Sequence, residues 1–191
     1  MPPQQHQRPS GHPRRDYTLG GIYALSLLLT LLGPGIATAG PVLSLQEIRH
    51  EGVVIQEWDT SCGAAALATV LTYSLQDPVS ERDVASGMLR MTEPIKVKHQ
   101  GGFSLLDMKH FVETRGLKGT GFRKMTLQQL LALEMPIVPI LQYGNPHFIV
   151  VRGLDEYGRL NIADPGFGNR SMSVADFEDV WSGGIGFVVT R

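Results

Sequence analysis

Apolar and polar positions along the chain change their spacing after residue 135, and the change predicts two kinds of structure. Before it, apolar residues recur at the spacing of helices, and Ser or Thr stands in a capping position before three of the predicted helices. After it, short β-branched runs are separated by Gly, Asn, Pro and Asp, which is typical of strands. The predicted helices are 62–75, 81–89, 105–115 and 127–134. The predicted strands are 136–143, 147–154, 159–164, 171–174 and 184–190.

The helix that begins at Cys62 is apolar almost all round, since its sequence continues GAAALATVLTYSL. Such a helix is predicted to be buried at the centre of the domain, with one of the residues 59–61 as its N-cap. Residues 42–56 are predicted to be strand-like in their second half, and residues 92–102 to form a loop. Helices followed by strands predict an α+β fold, in which N-terminal helices pack on a C-terminal antiparallel β-sheet.

The first 39 residues have the three regions of a cleaved secretory signal peptide. A polar and basic segment precedes an apolar run of 11 residues, 22–32, which is too short to span a bilayer comfortably as a helix. Gly-Pro-Gly (33–35) breaks this run, and Ala-Thr-Ala (37–39) has the pattern of a leader-peptidase site. We therefore expect residues 1–39 to be removed and residues 40–191 to act in the periplasm, with the membrane touched only before cleavage. The alternative is a retained N-terminal anchor.

Composition narrows the classes of function. The 191 residues are 42% hydrophobic and 18% charged with a net charge of -1, so the chain has a globular composition without the basic surface that nucleic-acid binding needs. Its single cysteine excludes an intramolecular disulfide, and the scattered histidines lack the spacing of metal ligands. No cofactor or metal is expected. The cysteine is therefore a buried inert thiol, an intermolecular partner or a nucleophile.

Cys62 stands in the first turn of its predicted helix, where a thiol can be activated. The unsatisfied N–H groups and the positive end of the helix dipole stabilise a thiolate there, and the thiolate is the attacking species in thiol catalysis. Gly63 directly after it is predicted to leave room for a substrate backbone. On position alone, an inert buried thiol explains Cys62 equally well.

A nucleophilic thiol needs a base, and residues 40–191 offer four histidines. His50, His99 and His110 are predicted to be solvated or structural, because two lie in polar loops and the third lies within a helix. His147 differs from them. It opens the apolar strand HFIVVRGL directly after the turn YGNP, where a ring at the end of a strand can face a cleft.

Hairpin parity selects Asp164 as the group that would orient the histidine ring. The turn DEYG is taken to be centred between Glu156 and Tyr157. In that register Ile149 faces Asp164, and His147 lies on the same face, one diagonal step away. A slip of one residue would separate the two side chains. The alternative is that Asp164 only begins the turn Asp-Pro-Gly.

Gln56 is the candidate donor for a developing oxyanion. It stands six residues before Cys62, at the end of VVIQ, where its amide could project beside the thiol. The alternative is an exposed glutamine at a strand end. Each candidate is weak alone, and the four residues in this order carry more weight.

Together these residues resemble the bacteriocin-processing cysteine peptidase family, the double-glycine leader peptidases of papain-like fold. The family pattern is a Gln six residues before Cys-Gly-x-Ala, a His that opens a later strand, and Asp-Pro at the end of the next strand. The stretches VVIQEWDTSCGAAAL and NPHFIVVRGLDEYGRLNIADPGFG match this pattern. The similarity spans roughly residues 42–190.

The resemblance implies a papain-like thiol peptidase. Cys62 would be the nucleophile and His147 the general base and then acid. Asp164 would orient the ring, and Gln56 would donate to the oxyanion together with the Cys62 N–H. In the family the cleaved bond typically follows a Gly-Gly or Gly-Ala pair, so the expected substrate is a peptide or protein with a Gly-rich cleavage site.

The chain departs from the best-known members, which are N-terminal domains of export transporters and act on the cytoplasmic side. Its sequence contains no Walker motif GxxxxGK[ST], and its predicted signal peptide directs the domain outward. An exported form resembles the peptidases encoded with functional-amyloid (Fap) secretion systems in Gram-negative bacteria. This resemblance implies outer-membrane secretion machinery as a partner.

Two other functions stay open. A papain-like amidase or acyltransferase on cell-wall peptides would use the same residues on a different amide. A catalytically silent peptidase-like module would bind Gly-rich segments without cutting them. Relatives of that last kind typically lose the cysteine, which this chain keeps.

Overall fold

The computed structural model describes residues 42–191, so the predicted signal peptide and its cleavage site lie outside the described residues. Leu43–Arg191 form one compact unit. Within the described residues, no helix combines the length and the apolar character that crossing a membrane requires. The domain boundary at residue 40 stays a prediction.

Residues 42–191 contain seven α-helices, one short 3-10 helix (Ser182–Gly184) and six strands. The α-helices are α1 (Leu45–His50), α2 (Cys62–Tyr73), α3 (Glu81–Leu89), α4 (Pro94–His99), α5 (Leu105–Thr114), α6 (Leu127–Leu131) and α7 (Val174–Val180). The strands are β1 (Lys118–Phe122), β2 (Ile137–Gln142), β3 (Asn145–Leu154), β4 (Leu160–Asp164), β5 (Gly168–Met172) and β6 (Gly186–Thr190).

The six strands form one sheet in the order β1-β6-β2-β3-β4-β5. Every neighbouring pair is antiparallel. Five of the helices precede the first strand, as expected for N-terminal helices packed on a C-terminal sheet. The predicted α+β fold is confirmed.

The sheet separates two apolar cores. Helix α2 lies in the first core, and ten of its twelve residues, Cys62–Leu71, are buried. Val150 of β3 and Ala163 of β4 belong to the same core. Ile149 and Ile162 lie in the second core, which includes Phe177 of α7. Alternating side chains of β3 and β4 therefore belong to opposite cores. The prediction of a central, buried cysteine helix is confirmed.

Two helices lie where the sequence pattern did not predict them. Helix α1 occupies part of the segment expected to be mixed or strand-like, and a capping box between Ser44 and Glu47 begins it. Helix α4 lies inside residues 92–102, expected to be a loop, and begins at Pro94, which suits a first helical position. Each has six residues. Helices this short depend on contacts with the rest of the fold rather than on their own periodicity.

The β3–β4 hairpin has the predicted register at its far end but a different turn. Next to the turn, Leu154 pairs with Leu160, so the turn is centred on Tyr157 rather than between Glu156 and Tyr157. An irregularity between Val151 and Gly153 then shifts the register by one residue. Beyond it, Val150 pairs with Ala163, which is the register that the parity argument required.

Candidate active site

Cys62 is the first residue of α2 and is 7% exposed. The Ser61 side chain makes no capping hydrogen bond to the helix, and its hydroxyl donates instead to the Trp58 carbonyl at 2.7 Å. The first turn therefore keeps N–H groups that no N-cap side chain occupies, beside the thiol. This is the local environment predicted for an activated cysteine.

Gly63 serves packing rather than access. A Cβ at this position would lie 2.7 Å from Met108 Cε and 3.3 Å from a ring carbon of Phe148. The residue is buried, so the expectation that it opens space for a substrate backbone is wrong. The absence of a side chain instead lets β3 approach the first turn of α2 closely. Because Phe148 follows His147, this contact brings the imidazole to the thiol.

His147 is the third residue of β3 rather than the first, because the strand begins at Asn145. Its side chain is 11% exposed. The ring nitrogen Nε2 lies 2.7 Å from Asp164 Oδ1, and the Cys62 side chain is close enough to contribute to the raised pKa of the ring. Since Nε2 faces the carboxylate, Nδ1 is the nitrogen left for the thiol.

Asp164 ends β4, and its side chain is completely buried. Oδ1 accepts from the Gly166 N–H at 2.9 Å as well as facing His147. Oδ2 accepts from Arg170 Nε at 2.8 Å. The two interpretations of Asp164 from the sequence are therefore both present in the structure, since the residue begins the turn and also contacts the histidine.

The charges of this buried pair support each other. Burial alone would lower the pKa of His147, but interactions with Asp164 and Cys62 outweigh it and raise the pKa to about 9. Burial opposes ionisation of Asp164, yet its bonds with His147 and Gly166 and the charge of Arg170 hold its pKa below the usual range. At neutral pH the arrangement favours an imidazolium beside a carboxylate.

Gln56 reaches the same site from the loop before α2. Its backbone N–H donates to the Pro165 carbonyl at 2.8 Å, and its Nε2 donates to the Trp58 carbonyl at 3.0 Å. Oε1 is buried and has no hydrogen-bond partner among the described residues. A Cβ built on Gly166 would lie 3.8 Å from this oxygen and 3.6 Å from His147 Cε1. The amide oxygen and the histidine ring therefore both border Gly166, whereas the amide nitrogen bonds to Trp58.

The four predicted site residues thus converge, whereas the other three histidines of residues 42–191 remain exposed. The sequence argument missed Arg170, which donates to Asp164, and Gln142, which accepts from Arg170. It also missed Glu81, a buried carboxylate that accepts from the Glu57 N–H at 2.9 Å. Parity across the next hairpin is the signal that would have found Arg170, because Arg170 pairs with Ile162.

An apolar cavity of about 530 Å³ lies beside the residues that precede the thiol. Thr60 and Ser61 line one part of it. The side chains of Trp58, Leu89, Val97 and Phe103 supply apolar walls, and Arg82 and Lys98 add positive charge. The cavity therefore presents an apolar surface with a cationic border next to the start of α2.

Residues 50–191 match the family described as the peptidase C39 family. This chain belongs to the peptidase C39 family. It is accordingly a cysteine peptidase, and the match includes the thiol, the histidine and the aspartate that the fold brings together.

Two curated relatives make the similarity more specific. The C39 chain is 38% identical over 144 residues to the probable functional amyloid protease FapD of Pseudomonas aeruginosa. That alignment covers 74% of this chain and 62% of the relative. It is 36% identical over 173 residues to the probable functional amyloid protease FapD of Pseudomonas fluorescens, covering 83% and 75% respectively. The alignment therefore spans less than two thirds of the P. aeruginosa protein.

Solved structures confirm the papain-like C39 fold. A double glycine motif protease from an AMS/PCAT transporter, solved with its leader peptide, aligns with a TM-score of 0.58 at 23% identity, over 73% of this chain and 90% of that one. The peptidase domain of Streptococcus ComA, a bi-functional ABC transporter, aligns with a TM-score of 0.60 at 21% identity, over 73% and 97%.

Proposed function

We propose that this C39 peptidase hydrolyses its substrate through Cys62, His147 and Asp164, with Gln56 as an oxyanion donor. The observation that carries the proposal is the 2.7 Å contact between His147 Nε2 and Asp164 Oδ1. It leaves Nδ1 of the same ring toward the thiol at the start of α2. A carboxylate, a histidine and a cysteine in this order supply a base, its orienting group and a nucleophile.

The proposed reaction begins from an ion pair, in which the proton of the Cys62 thiol has already moved to His147 Nδ1 and leaves a thiolate beside the imidazolium. The resulting thiolate forms a bond to the scissile carbonyl carbon, and the carbonyl oxygen takes the negative charge. As the tetrahedral intermediate collapses, the C–N bond breaks and the imidazolium gives its proton to the departing amine. His147 then removes a proton from water, which attacks the thioester and releases Cys62.

Gln56 requires one rearrangement for its proposed role. Its nitrogen bonds to Trp58 while its oxygen is buried beside Gly166 and without a partner in the described part of the chain. A half-turn of the terminal amide would break the bond to Trp58, exchange the two positions and place an N–H donor beside Gly166. The Cys62 backbone N–H, in a helix turn without a capping side chain, is the second proposed donor.

A Gly-Gly-like pair before the scissile bond is the proposed cleavage site. The sequence pattern shared with double-glycine leader peptidases supports this preference, as does the alignment with a solved double glycine motif protease. Residues without side chains would let the substrate backbone reach a thiol that is 7% exposed.

We further propose that the protein acts in the periplasm and supports functional-amyloid export. Support comes from the pattern of a cleavable signal in residues 1–39. The names of the two Pseudomonas relatives point in the same direction. An outer-membrane secretion component is the partner class that this role implies.

The test uses protein purified from a Gram-negative host that expresses the full chain. Peptides with a central Gly-Gly pair, and matched peptides with Val-Val, are incubated with the wild type and with Cys62→Ala, and the products are identified by mass spectrometry. We expect one cut after Gly-Gly, no cut after Val-Val, and a loss of about 10⁴-fold or more in the variant. Equal cleavage by Cys62→Ala, or binding of Gly-rich peptides without cleavage, would contradict the proposal.

A further inference from the structure

Arg170 lies on β5 at a position that points its side chain along the same face as Asp164. The strands pair so that Ile162 faces Arg170 and Asp164 faces Gly168. Asp164 and Arg170 are therefore diagonal neighbours on one face. Gly168 has no side chain at the position opposite the carboxylate, so the space between the two residues stays open.

The guanidinium of Arg170 joins the ends of two other strands. Its Nε donates to Asp164 Oδ2 at 2.8 Å, and Nη2 lies 2.7 Å from the same oxygen. Nη2 also donates to Gln142 Oε1 at 2.8 Å. Gln142 ends β2 and Asp164 ends β4. The arginine thus fixes the aspartate against a second anchor that is itself part of the sheet.

The two oxygens of the Asp164 carboxylate have different partners, and the inference depends on this difference. Oδ1 serves His147 and the Gly166 N–H, whereas Oδ2 serves only Arg170 among the described residues. Without the arginine, a completely buried carboxylate would have one oxygen unpaired and could rotate about its last bond. Such rotation would move Oδ1 away from the histidine ring.

We infer that Arg170, anchored by Gln142, is a positioning residue for catalysis that holds Asp164 in the rotamer which orients His147. The inference rests on the proposed function, since it assigns a part to the same site. Among the described residues, no hydrogen bond joins Arg170 to the thiol or to the imidazole. Its effect passes entirely through the carboxylate, so changes to it should act on the rate of chemistry more than on substrate binding.

The charged groups around Asp164 fix the expected pH behaviour. His147 faces it from β3 and Arg170 faces it from β5, while Arg49 of α1 lines the same surface cavity as Arg170. The positive charge of Arg170 helps to hold the pKa of Asp164 down. Removing that charge raises the pKa of Asp164, so the acid limb of the activity profile should move to higher pH.

The experiment compares Arg170→Met, Arg170→Lys and Gln142→Leu with the control Arg159→Met. Arg159 is an exposed arginine directly before β4, and its guanidinium reaches the Ser171 carbonyl rather than Asp164. All variants are made in the full chain and purified as the wild type is. The measured quantities are kcat and KM for a Gly-Gly peptide, each as a function of pH.

We expect Arg170→Met to lower kcat about 10- to 100-fold, with little change in KM. Its acid limb should move to higher pH. Arg170→Lys keeps the positive charge, so its acid limb should stay at the wild-type pH. It should recover only part of kcat, because an ammonium lacks the planar set of N–H donors with which a guanidinium bridges two acceptors. Gln142→Leu should cause a smaller loss in the same direction, and the control should behave as the wild type. The inference would be overturned if Arg170→Met and Arg170→Lys lowered kcat equally and left the acid limb of the pH profile in place.

Titration of the His147 ring by NMR separates this inference from the proposed function. Loss of a neighbouring cation would by itself raise the pH midpoint of the His147 titration, whereas a misplaced Asp164 would lower that midpoint. We therefore expect a lower midpoint in Arg170→Met than in the wild type and in the control. That result supports the positioning role even if no peptide is cleaved, in which case the proposed function alone fails. An unchanged or higher midpoint overturns the inference, even where peptide cleavage succeeds.

Discussion

The two sides of the candidate site are built differently. The thiol side, Gln56 and Cys62, lies on a loop and a helix start, where one amide oxygen and the first N–H groups of α2 lack side-chain partners in the described structure. The histidine side, His147, Asp164 and Arg170, lies on three adjacent strands, where hydrogen bonds of 2.7 to 2.8 Å connect the side chains.

This difference separates two requirements of thiol chemistry. The base must keep one orientation throughout, and a buried network on a sheet supplies that rigidity. The nucleophile and the oxyanion donors must keep free hydrogen-bonding capacity, because their partner arrives only with the substrate. Unsatisfied groups on the thiol side are thus expected of the proposed mechanism, whereas the same groups on the histidine side would weaken it.

The largest effect tests whether the thiol side holds a real oxyanion donor. We expect Gln56→Ala to lower kcat about 10²- to 10³-fold with a small change in KM, because the amide would act only as charge develops. Gln56→Glu is the matched variant, since it keeps the size but places a negative charge beside the oxyanion. Steady-state kinetics on a Gly-Gly peptide check both. Full activity in Gln56→Ala would show that Gln56 is a structural residue and not an oxyanion donor.

The next effect concerns the stability of the histidine side with pH. The folded pKa of His147, about 9, is above its value of 6.5 in a solvated chain. Its stabilising contribution, up to about 3 kcal/mol, is therefore fully present below about pH 6.5 and is lost as pH rises through about 9. The Asp164 contribution has the opposite sense, because its lowered pKa means that stability is lost as pH falls through that value.

Urea unfolding of the wild type and His147→Gln from pH 5 to 10 checks this expectation. The difference in free energy of unfolding should be largest at the acidic end and should shrink toward pH 10. His99→Gln, at an exposed histidine, is the control and should show no such trend. A difference that stays constant with pH would show that the ion pair does not stabilise the histidine side.

The smallest effect compares one glycine from each side. At Gly168 a Cβ would lie 2.5 Å from the Arg49 backbone oxygen, and its φ of +78° disfavours other residues. At Gly63 the closest atom is the end of the flexible Met108 side chain. We expect Gly168→Ala to cost about 2 to 3 kcal/mol and Gly63→Ala about 1 kcal/mol, measured by urea unfolding. If Gly63→Ala were the more costly change, the contact between Gly168 and α1 would adjust to a methyl group more easily than the core around Gly63 does.

Sequence alone could predict the histidine side's geometry only in part. Strand parity brought His147 and Asp164 to one face, although the assumed turn centre was wrong and a bulge near Gly153 restored the register. A bulge has no reliable signature in one sequence, since a glycine suits many turns. The same parity argument across the following turn would have reached Arg170.

The thiol side was less predictable in physical detail. The cysteine helix was clear because its residues are apolar all round. Its N-cap, Ser61, lies within the predicted residues 59–61, although the Ser61 side chain makes no capping hydrogen bond. The position of the Gln56 backbone and the close packing at Gly63 depend on residues far along the chain, Pro165 and Phe148 respectively. Local patterns carry no information about such contacts.

The most direct test of the account is the pH dependence of Cys62 alkylation by iodoacetamide in the wild type and in His147→Ala. If the imidazolium on the histidine side activates the thiol, the wild type should react rapidly well below about pH 8.5, where an ordinary thiol ionises. The midpoint should then move to higher pH in the variant. An unreactive thiol, or one with the same profile in both proteins, would contradict the proposed Cys62–His147 pair.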